Sequence, residues 1–265
     1  MNSTHCLLGR VLCVVTGASR GLGRCIATQF SSVVGPSSRF ILTGRDASLL
    51  AGVKEEIVKS ASGVEVDCLV LDQSQVTCDD VLRKHLAEKA NPKDFDKAVI
   101  VHNSGSLGDI TRNAKDFDNM AEVQSYFDVN LASMIALNGV FLKWCGQEAK
   151  PLRTVINITS ISALQPYKTW SLYCVGKVAR NMYFRCLALE EPRVRVLNYA
   201  PGPLDTDMQA KIREECGDAE MKKTFIEMHR DGKLVDPAAS VKVLMRLLKF
   251  DSYESGIHID YFDEA

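Results

Sequence analysis

The sequence lacks the features of several protein classes. It has no run of 18 apolar residues, which argues against a membrane span. Its formal net charge is −1, so there is no basic excess to favour a nucleic-acid partner. The first ten residues, MNSTHCLLGR, lack a basic segment followed by a long apolar run, so we expect no signal peptide. These absences predict a cytoplasmic protein with neither nucleic-acid nor membrane partners.

The cysteines show no metal-binding or redox pattern. There are nine, an odd number, at scattered spacings and without a C-x-x-C pair. Several stand in apolar runs, where a free cysteine behaves as a small hydrophobic side chain. We therefore predict free thiols in a reducing compartment and no metal site.

The composition and the order of apolar segments predict the architecture. The 265 residues are 46% hydrophobic and 25% charged, with no repeat or linker, so we predict a single domain over residues 1–265. Seven β-rich apolar segments alternate with helix-like ones, and several are almost continuously apolar, as in strands covered on both faces. This order is typical of an α/β fold with a parallel sheet of about seven strands and helices on both faces. The segments are residues 10–17, 39–44, 64–72, 97–105, 154–160, 194–202 and 256–262.

The stretch 203–235 departs from this alternation. It is polar and charged, with helical stretches and no strand pattern. We interpret it as a lid-like insertion over the strand ends; the alternative is a solvated helix pair without a functional role.

A glycine-rich loop follows the first strand directly. It reads TGASRGLG, residues 16–23. Gly17 permits the tight turn, Gly21 allows the backbone to approach a pyrophosphate, and Gly23 allows the next helix to pack closely on the strand. That helix points its N–H groups at the phosphates. The position between a strand and a helix predicts dinucleotide binding.

The residues after the second strand bear on the choice of nucleotide. An NAD site usually has an acidic residue there for the ribose 2′-hydroxyl, whereas this chain has Arg45, and Arg20 lies in the glycine loop. Two guanidinium groups favour the 2′-phosphate of NADP. Asp46 would allow NAD if its carboxylate faced the ribose. Asp72, at the end of the third strand, is placed to reach the adenine.

One hydroxyl, one phenol and one amine have a spacing that suits ketone reduction. Ser160 ends the fifth predicted strand, Tyr173 follows thirteen residues later, and Lys177 lies four beyond that, on the same helix face. A phenol with a pKa of ~10 is a reluctant acid, and a neighbouring ammonium lowers that pKa toward neutrality. We therefore predict that Tyr173 is the general acid, tuned by Lys177, and that Ser160 hydrogen-bonds the carbonyl oxygen.

Together these motifs resemble the short-chain dehydrogenase/reductase family. TGASRGLG, HNSG at 102–105, Asn130, the Ser–Tyr–Lys set and PG at 201–202 occur in the family's order. The resemblance implies a single-domain Rossmann-type doubly wound sheet, an NADPH/NADP+ cofactor, ribose binding by Lys177 and support of Lys177 by Asn130 through water. The family's usual NNAG is HNSG here; we keep Asn103 as a cofactor-loop residue and interpret His102 as structural.

Longer stretches resemble the pterin ketone reductases of that family. They are NSGSLGDI, SALQPYKTWSLYCVGKVARNM, ALEEPRVRVLNYAPGPLDTDMQ and SGIHIDYFDEA. The resemblance implies a pterin substrate anchored by Asp260, although a surface acid is the alternative for that residue. The apolar walls would be Trp170, Leu107, Met208 and Tyr167. Rival functions are reduction of small diketones or quinones and a non-catalytic NADP(H) sensor.

The predicted site residues form three groups. The catalytic group is Ser160, Tyr173, Lys177 and Asn130. The substrate group is Ser160, Ile161, Tyr173, Gly202, Asp260 and Trp170. The cofactor group is Gly17, Ala18, Ser19, Arg20, Gly21, Leu22, Gly23, Arg45, Asp46, Asp72, Gln73, Asn103, Tyr173, Lys177, Leu204, Asp205, Thr206, Asp207, Met208 and Gln209. By the same resemblance we expect a homodimer that pairs helices 119–145 and 171–190.

Overall fold

The computed structural model describes residues 8–264 and contains the predicted parallel sheet. All seven predicted strands are confirmed, most of them shorter than the apolar segments that predicted them. They pair in the order β3-β2-β1-β4-β5-β6-β7, and every pairing is parallel. The strands are β1 (Val11–Val15), β2 (Arg39–Gly44), β3 (Glu65–Val70), β4 (Lys97–His102), β5 (Leu152–Ile158), β6 (Val194–Ala200) and β7 (His258–Asp260).

Helices connect the strands and cover the sheet. They are α1 (Gly21–Ser31), α2 (Ala47–Ser60), α3 (Cys78–Lys89), α4 (Met120–Phe127), α5 (Ser133–Cys145), α6 (Ser171–Glu190), α7 (Asp207–Glu215), α8 (Ala219–Arg230), α9 (Pro237–Phe250) and α10 (Tyr261–Glu264). The segment predicted as one helix over 119–145 is instead interrupted by a π-helical turn, Asp128–Ala132. Such turns occur often at functional sites.

The sheet separates two apolar cores. Every residue of β1 is fully buried, and its side chains alternate between the two faces. Val11, Cys13 and Val15 join the core formed with α1, α2 and α9. Leu12 and Val14 join the core formed with α3, α5 and α6. This two-sided burial explains why the strand segments are almost continuously apolar.

The segment Met120–Cys145 is long and apolar enough, by length and composition, to span a membrane. In the structure, Met134, Leu137 and Phe141 of α5 are buried in the core shared with α3. Its apolar character is therefore that of a core helix.

The insertion 203–235 contains two helices, α7 and α8. A single bridge between Leu204 and Val235 joins its two ends, and α7 and α8 lie between them. Ile212 and Cys216 pack with Trp170 and Tyr173 in a third, smaller apolar cluster, and Phe225 borders it. We call this the site cluster. The insertion thus packs directly on the residues that were predicted to be catalytic.

Candidate active site

The predicted site lies at the carboxyl ends of the strands. The strand order reverses between β1 and β4, and in open parallel sheets ligands bind in the crevice at that point. The glycine loop follows β1, residues 103–105 follow β4, and Ser160 follows β5. The fold therefore brings the three motifs to one edge of the sheet.

The glycine loop has the geometry that a dinucleotide needs. Gly17 and Gly21 adopt φ values of +65° and +54°, a region that other residues rarely enter. A Cβ on Gly23 would lie 2.2 Å from the Gly17 carbonyl oxygen, so only glycine allows this close packing. The first turn of α1 has no side-chain cap and no acidic residue, which leaves its N–H groups free for a phosphate. The loop therefore fits a pyrophosphate.

Asn103 holds the glycine loop in place. Its side-chain amide donates to the carbonyl oxygens of Thr16 and Gly17 at 2.9 and 3.0 Å. Its backbone N–H donates to the Thr16 hydroxyl at 3.0 Å. The predicted cofactor-loop residue thus ties the end of β4 to the loop after β1.

The charged residues that follow β2 and β3 have different partners. The Ser48 hydroxyl and the backbone N–H groups of Leu49 and Ser48 donate to Asp46 Oδ1, which caps α2, and these hydrogen bonds lower the pKa of Asp46. Arg45 is exposed, and its charge helps to lower the pKa of Asp72, after the hydrogen bonds from Ser74. One oxygen of the Asp46 carboxylate is therefore engaged in a helix cap, and the Arg45 guanidinium is exposed.

The remaining predicted cofactor residues fall into two sets. Ala18 and Leu22 bury their side chains in the core, and Gln73 is buried with its amide donating to Ser133 at 3.2 Å. Residues 204–209 lie beside the glycine loop: Arg20 pairs with Asp207 at 3.1 Å, and the Thr206 methyl group is 3.6 Å from a Cβ placed on Gly21. The two predicted cofactor segments therefore meet in the fold.

Ser160, Tyr173 and Lys177 come together as predicted. Ser160 precedes a 3-10 turn, Ile161–Ala163, and its Oγ accepts from the Ser162 N–H at 3.1 Å. Tyr173 is buried in the site cluster, with the Ser160 hydroxyl close enough to lower the pKa of its phenol. Lys177 Nζ lies 5.5 Å from the centre of the Tyr173 ring and donates to the Ile158 carbonyl oxygen at 2.8 Å. This is a hydroxyl–phenol–amine site.

The predicted direction of the Tyr173 pKa shift is wrong. Burial raises the pKa of Tyr173 to about 12, and the Ser160 hydrogen bond and the Arg180 charge only partly oppose it. The pKa of Lys177 falls well below its ordinary value because of burial and the nearby Arg180 charge. The sequence spacing shows which groups are neighbours but not that both are removed from water, and here burial dominates.

Two polar residues near the site, Asn130 and His102, are held by hydrogen bonds within the protein. Asn130 sits in the π-helical turn, where its amide donates to the Tyr126 carbonyl oxygen at 2.9 Å and its Oδ1 accepts from the Ser106 N–H at 2.7 Å. His102 is buried against Asn138, and burial lowers its pKa to about 3. The interpretation of His102 as structural rather than a catalytic base is confirmed.

Aromatic side chains form one wall of the site. Trp170 is buried, its ring lies edge-on to Tyr173 at 5.6 Å, and it stacks parallel to Phe225 of α8 at 6.0 Å. Leu107 and Tyr167 belong to the same cluster. Met208, the fourth predicted wall residue, is 39% exposed at the start of α7 and is not part of the site cluster.

The predicted substrate residues beyond the aromatic wall lie on loops and strand ends. Ile161 is exposed in the turn after Ser160. Gly202 has φ +79° after β6, and Asp260 ends β7. The Asp260 Oδ1 accepts from the Phe262 N–H at 3.0 Å, so this carboxylate also caps α10.

Sequence reasoning missed Arg180. It lies three residues after Lys177, is fully buried and hydrogen-bonds the segment after β4. The available signal was its position: residues 173, 177 and 180 share one helix face. An arginine on a buried face needs several hydrogen-bond acceptors.

Comparison with known proteins places the chain in a family. A family model described as short chain dehydrogenase matches residues 12–217. The chain is 39% identical to sepiapterin reductase of Rattus norvegicus over 97% of its length and 98% of that protein. It is 41% identical to sepiapterin reductase of Bos taurus over 97% and 96%. Benzil reductase ((S)-benzoin forming) of Bacillus cereus is 29% identical over 93% and 98%.

Solved structures share the fold. The KRED1-Pglu enzyme superposes with a TM-score of 0.79 at 25% identity, covering 94% of this chain and 99% of the other. A short chain dehydrogenase of Shigella flexneri complexed with NADP gives a TM-score of 0.77 at 23% identity, over 98% and 100%. Together with the glycine loop and the Ser–Tyr–Lys site, these matches establish that the chain belongs to the short-chain dehydrogenase family and is an oxidoreductase that uses a nicotinamide cofactor.

Proposed function

We propose that this protein is an NADPH-dependent reductase for the side-chain ketones of pterins. Its substrates would be sepiapterin and 6-pyruvoyl-tetrahydropterin, in the formation of tetrahydrobiopterin. The observation that carries the proposal is the 39–41% identity, over 97% of the chain, to proteins named sepiapterin reductase. The buried phenol beside a stacked aromatic wall is compatible with a flat heteroaromatic substrate.

The residues of the site have separate roles in the reaction. The bound nicotinamide supplies a hydride to the carbonyl carbon. Ser160 donates a hydrogen bond to the carbonyl oxygen and fixes its direction. Tyr173 transfers its phenolic proton to that oxygen, and the phenolate then takes a proton from solvent. Lys177, which donates to the Ile158 carbonyl oxygen, would bind the nicotinamide ribose.

The preference for NADPH would come from Arg45 and Arg20. The Asp46 carboxylate caps α2, which leaves the exposed Arg45 guanidinium available for a 2′-phosphate. Arg20 is held only by an exposed ion pair with Asp207, and exposed pairs are weak enough to exchange partners.

Replacing Arg45 by Ala should weaken NADPH use selectively. A hydrogen bond to a charged group contributes about 1.5–3 kcal/mol, so we expect kcat/KM for NADPH to fall about tenfold or more and that for NADH to change little. Steady-state kinetics with both nucleotides measure this effect. Arg83→Ala, which removes an exposed arginine of α3, is the control. Equal losses for NADPH and NADH would contradict a 2′-phosphate contact.

Asp260 is the proposed anchor for the pterin. The donor-rich N–C–N edge of a pterin suits a carboxylate. The Asp260→Asn variant keeps the oxygen that caps α10 and removes the charge. We expect kcat/KM for sepiapterin to fall about tenfold or more. That for benzil should stay within about twofold, because only the pterin has the N–C–N edge that donates hydrogen bonds to the carboxylate.

The Asp260→Asn experiment also separates the rival functions. The benzil reductase of Bacillus cereus favours a diketone reductase as the second candidate. In that case the wild-type protein prefers benzil, and Asp260→Asn leaves kcat/KM for both substrates unchanged. Nucleotide binding without turnover of either ketone would point to an NADP(H) sensor.

The insertion would act as a lid. Phe225 of α8 stacks on Trp170, and Ile212 of α7 packs in the site cluster, so the helix pair already covers one side of Tyr173. Closure of such a segment excludes water from a reaction site.

A homodimer would pair α6 with the α4–α5 segment. Val175, Val178 and Met182 form an exposed apolar stripe on α6, and Ile135 is exposed on α5. Light scattering should give the mass of two chains; a mass of one chain would contradict this pairing.

A further inference from the structure

Arg180 is a buried cation without an anionic partner. Its side chain is 1% exposed, and within residues 8–264 no carboxylate oxygen lies within 4.0 Å of it. A buried charge is costly and is normally paired with an opposite charge. The buried position of the Arg180 guanidinium therefore needs a compensating interaction or a function.

The Arg180 guanidinium links the helix that carries Tyr173 to the loop that follows β4. It donates to the carbonyl oxygens of His102 and Ser104 at 2.6 and 3.0 Å. Between them, Asn103 donates to the carbonyl oxygens of the glycine loop. A continuous set of hydrogen bonds thus joins α6 to the glycine loop.

A row of polar side chains across the sheet fixes the third acceptor of Arg180. Its Nε donates to Asn157 Oδ1 at 2.9 Å, and the Asn157 amide donates to Asn198 Oδ1 at 2.9 Å. Asn157 and Asn198 are directly paired residues of β5 and β6. Asn198 in turn donates to the Gly256 carbonyl oxygen at 3.0 Å. Because every group in the row has a partner, the guanidinium is held rigidly.

The charge of Arg180 lies on the same helix face as the catalytic pair, one turn from Lys177 and two turns from Tyr173. The other titratable groups that face Tyr173 are Cys174 on α6 and Tyr126 on α4, and burial raises the pKa of both. His102, beneath the guanidinium, has a pKa of about 3 and is neutral. Burial lowers the pKa of Arg180 to about 10, so at pH 7 its guanidinium still carries the positive charge of this buried group.

We propose that Arg180 is a positioning residue for ketone reduction, which locks the helix bearing Tyr173 to the glycine loop and supplies the fixed positive charge that makes the buried phenol a competent acid. This role rests on the proposed function. Burial lowers the pKa of Lys177 well below its ordinary value, whereas Arg180, with a pKa of about 10, keeps its charge at neutral pH, so Arg180 is better suited to this role.

The pH dependence of kcat/KM tests the role of the charge. A nearby cation lowers the pKa of both Tyr173 and Lys177, so removing it moves each proton-binding step of the coupled pair to higher pH. For Arg180→Gln we expect the alkaline limb to move up by about one pH unit and the rate at pH 7 to fall about tenfold. Arg180→Lys should also lower kcat, because one ammonium group cannot hold all three acceptors. Arg193→Gln, an exposed arginine bonded to Gln147, is the control.

The results for the Arg180 variants either support the proposed role of Arg180 or overturn it. A folded Arg180→Gln variant with an unshifted alkaline limb would show that Arg180 is only structural. If this variant does not fold, as judged by circular dichroism, an unchanged kcat in Arg180→Lys would overturn the proposal. All variants are assayed with both sepiapterin and benzil. If the wild-type protein reduces only benzil, the proposed pterin function is wrong. The alkaline limb of kcat/KM is then measured with benzil, which still tests the role of Arg180.

Discussion

Replacement of Tyr173 by Phe should lower kcat for ketone reduction by about 10²- to 10⁴-fold, the usual contribution of a general acid. Tyr173 is the buried phenol near Ser160, and its pKa of about 12 keeps it protonated at neutral pH. The substitution removes one oxygen and leaves the ring against Trp170, so the site cluster should stay packed. The measurement is NADPH oxidation at saturating ketone.

Binding and a matched variant separate chemistry from structure in this experiment. The Kd for NADPH, measured by fluorescence, should stay within about twofold because the phenol hydroxyl acts mainly in the transition state. Tyr183→Phe removes a hydroxyl from the same helix, where it accepts from Asn138, and should leave kcat nearly unchanged. If Tyr173→Phe retained more than half of the wild-type kcat, the phenol would not be the proton donor.

The second large effect is expected at Gly23. A methyl group there would lie 2.2 Å from the Gly17 carbonyl oxygen and 2.5 Å from the Asn103 amide nitrogen. Gly17 belongs to the glycine loop and Asn103 is hydrogen-bonded to it, so Gly23→Ala must displace the backbone that faces the pyrophosphate. We expect NADPH affinity to fall by about 100-fold or more, because overpacking costs about 1–3 kcal/mol and occasionally more, and the phosphate contacts are lost as well.

Gly52 provides the control for Gly23. It lies within α2, and a Cβ placed on it meets no atom within 4 Å. Gly52→Ala should therefore stabilise the protein by about 0.5–1 kcal/mol through helix propensity, with unchanged nucleotide affinity. Isothermal titration and thermal unfolding measure the two variants. If Gly23→Ala bound NADPH like wild type, the glycine loop would not be the phosphate site.

The fold could be predicted largely because its strands are buried on both faces. All five residues of β1 are fully buried, so the strand reads as an unbroken apolar run. The interruption of 119–145 could not be predicted, since a π-helical turn leaves no periodicity signal in Asp128–Ala132. The three catalytic residues could be placed because their spacing follows a strand end and one helix face.

The electrostatics of the site could not be predicted from spacing. Whether Lys177 lowers the Tyr173 pKa depends on burial, which tertiary packing determines. Asp46 illustrates a similar limit: its sequence position suits either a ribose or a helix cap, and the backbone of Ser48 and Leu49 decides for the cap. Arg180 was missed because a charged residue in the middle of a helix gives no pattern that shows it to be buried.

The most direct test of the central claim is the ratio of kcat/KM for sepiapterin to that for benzil, measured with NADPH on the wild-type protein. A pterin reductase with an anchoring carboxylate at Asp260 should favour sepiapterin by about tenfold or more, since a charge-assisted contact contributes about 1.5–3 kcal/mol. A ratio near or below one would contradict the pterin function and leave a ketone reductase of broader specificity.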